Sequence, residues 1–121
     1  MRSTVGVAAV VLALAAWRAP AGDAPAARVV EITARRVAFE PARIEVPLGA
    51  RVELKLRSAD VDHGLAIKAY GVKLLAARGG EWATAEFTAT RAGTFPISCS
   101  EYCGTGHGRM KALLVVTPPQ P

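Results

Sequence analysis

Histidine and cysteine are scarce in this 121-residue chain, two of each, and aromatics make up only 6% of it. Clustered positive charge is missing as well. The formal charge of +5 falls to +3 once Arg2 and Arg18, which flank the N-terminal apolar run, are set aside, and Arg35-Arg36 is the only adjacent arginine pair. A nucleic-acid reader would gather its cations and interleave aromatics among them, so no nucleic-acid partner is expected. There is no internal repeat and no low-complexity tract outside a short linker. A long apolar run is lacking too. Residues 4–17, the most apolar stretch, would span roughly 21 Å as a helix at ~1.5 Å per residue. A hydrocarbon core of ~30 Å needs more than that.

What is present is glycine (11), proline (8) and a hydrophobic fraction of 51%. The last is enough for one packed core, and the first two interrupt helices and favour a turn-rich β protein. Arg2, the apolar run and then Ala19-Pro20-Ala21 fit an export signal with a small-residue cleavage site. An uncut short anchor is the alternative, which would tie the chain to a membrane through residues 4–17. Either reading places the remainder outside the cytoplasm, in the periplasm or on the outer face of the cytoplasmic membrane. The expected organisation is therefore 1–21 as signal or anchor, 22–27 as a linker of small residues and breakers, and 28–118 as the working domain.

Within that domain Arg51-Val52-Glu53-Leu54-Lys55-Leu56-Arg57 alternates charged and apolar residues without a break. That is the pattern of a half-buried strand. Val29 to Thr33, Arg43 to Val46, Thr84 to Ala89, Phe95 to Cys99 and Lys111 to Thr117 read as further strands. Turn signals at Pro47-Leu48-Gly49, Asp60 to Gly64, Arg78-Gly79-Gly80 and Arg91-Ala92-Gly93 separate them. Seven or eight short strands with frequent turns predict an all-β sandwich. Helix is expected only in the N-terminal segment, with a helical turn near Ala69 to Leu75.

The chemistry gathers in Cys99-Ser100-Glu101-Tyr102-Cys103-Gly104-Thr105-Gly106-His107-Gly108-Arg109-Met110. Thiolate and thioether favour Cu(I), and imidazole serves both oxidation states of copper. A mononuclear blue-copper site uses one thiolate, two imidazoles and a weak thioether. Two thiolates can instead bridge two coppers, which leaves one imidazole for each metal and requires a second histidine. His63, in Asp60-Val61-Asp62-His63-Gly64, is the one candidate.

These two segments resemble the CuA domain of cytochrome c oxidase subunit II. Cys-x3-Cys-x3-His-x2-Met, opening as Cys-Ser-Glu-Tyr-Cys-Gly, is similar to that family's copper loop. Asp60-Val61-Asp62-His63 is similar to its Asp-Val-x-His segment, and the likeness runs from about residue 36 to residue 117. The resemblance implies a cupredoxin-like Greek-key sandwich or barrel that holds two copper ions. Cys99 and Cys103 would bridge both metals, and His63 and His107 would bind one each. Met110 and the backbone carbonyl of Glu101 would be the weak ligands. It further implies electron transfer from a c-type cytochrome to subunit I of a haem–copper oxidase, with no independent catalytic site.

Other readings stay open at this stage. A Cys99–Cys103 disulfide fits an exported protein, and two cysteines with two histidines suit zinc. A stand-alone periplasmic cupredoxin with another redox partner, or a copper carrier without redox duty, would use the same ligands. Many family members carry aromatics ahead of the remote histidine, whereas Phe39 is the only aromatic between Arg28 and His63. With both histidines assigned to metal no Ser/His/Asp arrangement remains, and the alternating glycines of the loop lack dinucleotide spacing.

Overall fold

The structure, a computed structural model, describes residues 27–119 together with positions 3, 6 and 8. The expected signal or anchor and nearly all of the linker lie outside the described residues. Among those described, no helix is long and apolar enough to cross a membrane.

Nine strands are formed among the described residues: β1 (Arg28–Arg35), β2 (Ala38–Glu40), β3 (Arg43–Pro47), β4 (Arg51–Ser58), β5 (His63–Ile67), β6 (Val72–Ala76), β7 (Ala83–Thr88), β8 (Gly93–Ser98) and β9 (Lys111–Thr117). They build a four-stranded sheet in the order β2-β1-β4-β7 and a five-stranded sheet in the order β3-β9-β8-β5-β6. β1 with β4 and β3 with β9 are parallel; the other pairs are antiparallel. The result is a cupredoxin-like β-barrel.

Alternation drives the closure. Val52, Leu54 and Leu56 of β4 are buried while Arg51 and Arg57 stand in solvent. They meet Ile32, Phe39, Leu65, Ile67, Ile97 and Leu114 in one core. Each such side chain contributes about 1.5–3 kcal/mol when fully buried. At the end where β8 begins, Tyr70 packs on Phe87 (4.9 Å between ring centres) and edge-on to Phe95 (5.3 Å).

Two expectations need correction. The region Ala69 to Leu75 is not one helical turn but a 3₁₀ turn, Lys68–Tyr70, followed by strand β6. Gly71, with φ 64°, ends the turn, and the alternation of buried Val72, Leu74 and Ala76 with exposed Lys73 and Leu75 then favours a strand. His63 is not in a loop either; it is the first residue of β5. The short run Gly64-Leu65-Ala66-Ile67 pairs on both sides, with β6 and β8, and tertiary pairing outweighs its weak local signal.

Candidate metal centre

Three adjacent strands of the five-stranded sheet bring their ends together. β5 begins at His63, Cys99 follows β8, and Met110 precedes β9. The pairing continues past the strand ends: the Cys99 N–H donates to the Met110 carbonyl (3.2 Å), and the Ser100 N–H donates to the Gly64 carbonyl (3.3 Å). Register in the sheet therefore fixes three of the expected ligands before any metal is considered.

The other three reach the same point. Cys99 Sγ lies 3.7 Å from Cys103 Sγ, and its S–H donates to the Glu101 carbonyl at 3.0 Å. Cys103 Sγ is 3.6 Å from His107 Nδ1 and 3.7 Å from Met110 Sδ. A ring nitrogen of His63 and the two sulfurs fall within 4.8 Å of one another. All six residues singled out from the sequence thus meet in one cluster. Both thiols are free, and His63, Cys99, Cys103 and Met110 are buried.

His63 shows what the cluster needs. Its Nε2 lies 2.6 Å from Asp60 Oδ1, and its Nδ1 is buried without a hydrogen-bond partner. The carboxylate assigns the proton to Nε2, which leaves the Nδ1 lone pair free. An orphaned acceptor in a dry core costs about 1–3 kcal/mol, and a metal ion removes that cost. The donor chemistry is soft sulfur with imidazole, which suits copper. The residues fit the group.

Asp60 was not assigned a role from the sequence. Partial burial works against its charge, yet hydrogen bonds from the Arg36 N–H, from His63 and from the Val61 N–H hold the carboxyl down at about 2. It is ionised throughout the working range. A His ligand held by a carboxylate in this way is the usual arrangement around metals, and an acid three residues before the histidine was the available signal. Ser58 steadies the same turn, its hydroxyl donating to the Val61 carbonyl and accepting from the Asp60 N–H.

Gly64 was also without an assigned role. A Cβ at Gly64 would stand 2.9 Å from the Glu101 nitrogen and would collide with the Ser100 hydroxyl. Only a residue without a side chain lets the ligand loop sit down on β5. Burial, together with the hydrogen bond and charge of Cys99, pushes the Cys103 thiol well above the usual thiol range. In the metal-free protein its proton therefore stays on.

The far side of the cluster is more open. His107 is half-buried in a 3₁₀ turn, His107–Arg109, entered from Gly106 at φ 91°. Tyr102, 76% exposed, has its ring 5.7 Å from that of His107. A cleft of about 270 Å³ opens beside Cys103, lined by Arg36, Arg78, Asp62, Glu101 and Tyr102 among others.

A cupredoxin-like barrel with a sulfur–imidazole cluster at one end defines the class. Residues 24–117 match the family described as cytochrome c oxidase subunit II, periplasmic domain. The chain belongs to that family. It is 36% identical over 87 residues to cytochrome c oxidase subunit 2 of Thermus thermophilus, a match covering 72% of this chain and 64% of that one. The chain thus spans under two thirds of that relative's length. The periplasmic domain of subunit II of cytochrome oxidase from Bradyrhizobium japonicum superposes with a TM-score of 0.70 at 23% identity, over 78% of this chain and 88% of that one. A haem–copper terminal oxidase dimer solved by cryo-electron microscopy gives a TM-score of 0.67 at 26% identity, over 74% of this chain and 64% of that one.

Proposed function

We propose that this domain holds a dinuclear copper centre of the CuA type and relays single electrons. The donor is a c-type cytochrome and the acceptor is subunit I of a haem–copper oxidase, on the outer side of the cytoplasmic membrane. The observation that carries the reading is the donor count. Two thiols, two imidazoles, a thioether and a carbonyl converge, one thiolate more than a mononuclear blue-copper site takes. When bound, a copper pair held by two thiolates would supply a one-electron redox group.

The chain's own residues do the rest. Cys99, Cys103, His63 and His107 would hold the copper pair as its strong ligands, with Met110 and the Glu101 carbonyl as the weak ones. Asp60 keeps the His63 proton on Nε2 and so points the Nδ1 lone pair at the site. The strand pairing of β5, β8 and β9 holds the donors in one geometry. Leu65, Ile97 and Ala112, the next inward residues along those strands, are buried and keep water out.

Copper reconstitution followed by electron paramagnetic resonance tests the reading. A seven-line hyperfine pattern is expected, and a four-line or silent spectrum would overturn it. Cys99→Ser or Cys103→Ser should abolish the centre. A stand-alone cupredoxin with another redox partner is the second reading. It is favoured by one observation: Phe39, the only aromatic between Arg28 and His63, is 1% exposed, so that stretch offers no aromatic for a partner to dock on. Metal lost readily to a chelator, with no reversible redox couple, would instead identify a copper carrier.

A further inference from the structure

The two sheets turn very different outer faces to solvent. On the four-stranded sheet Glu31, Glu40, Glu53 and Glu86 alternate with Arg35, Arg51, Lys55 and Arg57. Two of these pairs, Arg35–Glu40 and Arg51–Glu86, are closed ion pairs, and the face is balanced. The five-stranded sheet and its border carry three of the chain's four lysines. One row across it reads Lys111, Ser98, Ala66, Lys73, and the next reads Arg43, Leu113, Pro96. A third reads Glu45, Val115, Thr94. Lys68 is exposed just past β5. The acids bordering this face are Glu45, paired with Arg43 at 3.0 Å, and Asp62 and Glu101 at the metal end, Asp62 accepting from the Arg78 N–H. The remaining charge is positive.

We infer that this face, centred on Ser98, Ala66 and Pro96 and edged by Lys68, Lys73 and Lys111, docks an acidic redox protein. The inference rests on the electron-relay reading for the word redox, and on the surface for the word acidic. Three features favour such an occupant. The centre of the face is small or apolar, Ser98, Ala66 and Pro96 with exposed Leu75 and Leu113 beside them, so a partner can approach closely. Strands β5, β8 and β9 are the ones that carry the ligands, and Ser98 and Lys111 are each one residue from Cys99 and Met110. Five strands ~4.8 Å apart and six residues long present about 400 Å², the scale of a transient redox encounter and too little for a permanent subunit contact. A second copy of the domain would bring like charges together. A membrane-binding face would carry interfacial aromatics. Among the described residues the exposed aromatics lie elsewhere: Tyr102 is in the ligand loop, and Trp82 is under Lys55 and Arg57 on the other sheet.

The test uses the copper-loaded domain with two probes of one haem protein, native basic cytochrome c and the same protein made acidic by succinylating its lysines. Amide chemical-shift mapping reads docking whatever the metal does, and the resonance spectrum of the copper reads the centre separately. Binding of the succinylated probe is expected on β5, β8 and β9. It should weaken ~10-fold in Lys68→Glu/Lys73→Glu and less than ~2-fold in the matched control Lys55→Glu, with the difference vanishing at high salt. Preference for the native basic probe, equal effects of the two variants, or binding only to vesicles of anionic phospholipid would overturn the inference. A missing seven-line spectrum with docking intact would refute the copper reading alone.

Discussion

His63 and His107 carry the same ring to the same cluster from opposite kinds of structure. His63 is fully buried at the start of a strand paired on both sides, with Asp60 at 2.6 Å and the ligand loop seated on Gly64. His107 is half-buried in a single 3₁₀ turn between glycines, beside an exposed tyrosine. The first imidazole is placed by the core and cannot adapt. The second is placed by a loop that the metal itself can draw in. One side of the site therefore sets the geometry, and the other completes it and faces solvent.

Removing the rings tests this asymmetry most strongly. His63→Gly should lose the two-copper spectrum, and millimolar imidazole should not restore it, because the vacated space is sealed. His107→Gly should also lose the spectrum but regain it with added imidazole. Equal rescue of both variants, read by absorption and paramagnetic resonance, would erase the distinction. In the metal-free protein His63→Gly should destabilise by less than the cavity alone. The lost packing, about 2–4 kcal/mol, is offset by removal of an orphaned nitrogen worth about 1–3 kcal/mol.

Backbone crowding gives the next effect. Gly64→Ala forces a Cβ against the Glu101 nitrogen at 2.9 Å and should destabilise by about 1–3 kcal/mol, the range for overpacking. Gly108, with nothing within 4 Å of its Cβ position, should accept alanine with a change below ~0.5 kcal/mol. Thermal unfolding of the metal-free variants measures both.

Asp60→Asn probes how the fixed half is aimed. Copper affinity should fall about 10–100-fold, as it does when a histidine ligand loses its carboxylate support. The substitution also has a pH signature. The Asp60 carboxyl is lowered from 3.8 to about 2 on folding, so its contribution is complete above pH 3.8 and is lost as pH falls towards 2. Unfolding of the metal-free wild type should steepen in that window, and the asparagine variant should flatten it. The raised Cys103 thiol acts in the other direction on metal uptake. Binding must release its proton, so loading should quicken as pH rises.

Much of this was legible in the residues. The alternation of Arg51 to Arg57 and the apolar run from Lys111 to Thr117 mark strands, because side chains of period two sort themselves between core and water. Donor types and spacing mark the loop from Cys99 to Met110, because sequence neighbours stay neighbours there. The missing parts depend on distant pairing. Nothing local in His63-Gly64-Leu65-Ala66-Ile67 signals a strand; β6 and β8 make it one. Gly64 reads as a turn residue until Ser100 and Glu101 are found against it. The division between a balanced and a basic sheet face emerges only once β9, β8, β5 and β6 stand side by side.

Met110 gives the smallest expected effect and the finest comparison, since it is buried and held by sheet pairing like His63 yet ends the same 3₁₀ turn that carries His107. It is 1% exposed, with Sδ 3.7 Å from Cys103 Sγ. Leucine matches its volume, and swaps of that kind cost under about 1.5 kcal/mol. Met110→Leu should therefore keep the fold and the seven-line spectrum, because the thiolates and imidazoles that bind strongly are untouched. On the proposed ligand set only the thioether's weak donation would change, so the midpoint potential should shift while stability barely moves. An emptied site in this variant would mean that the thioether is a principal ligand. The ligands that sheet register places would then include a third strong one.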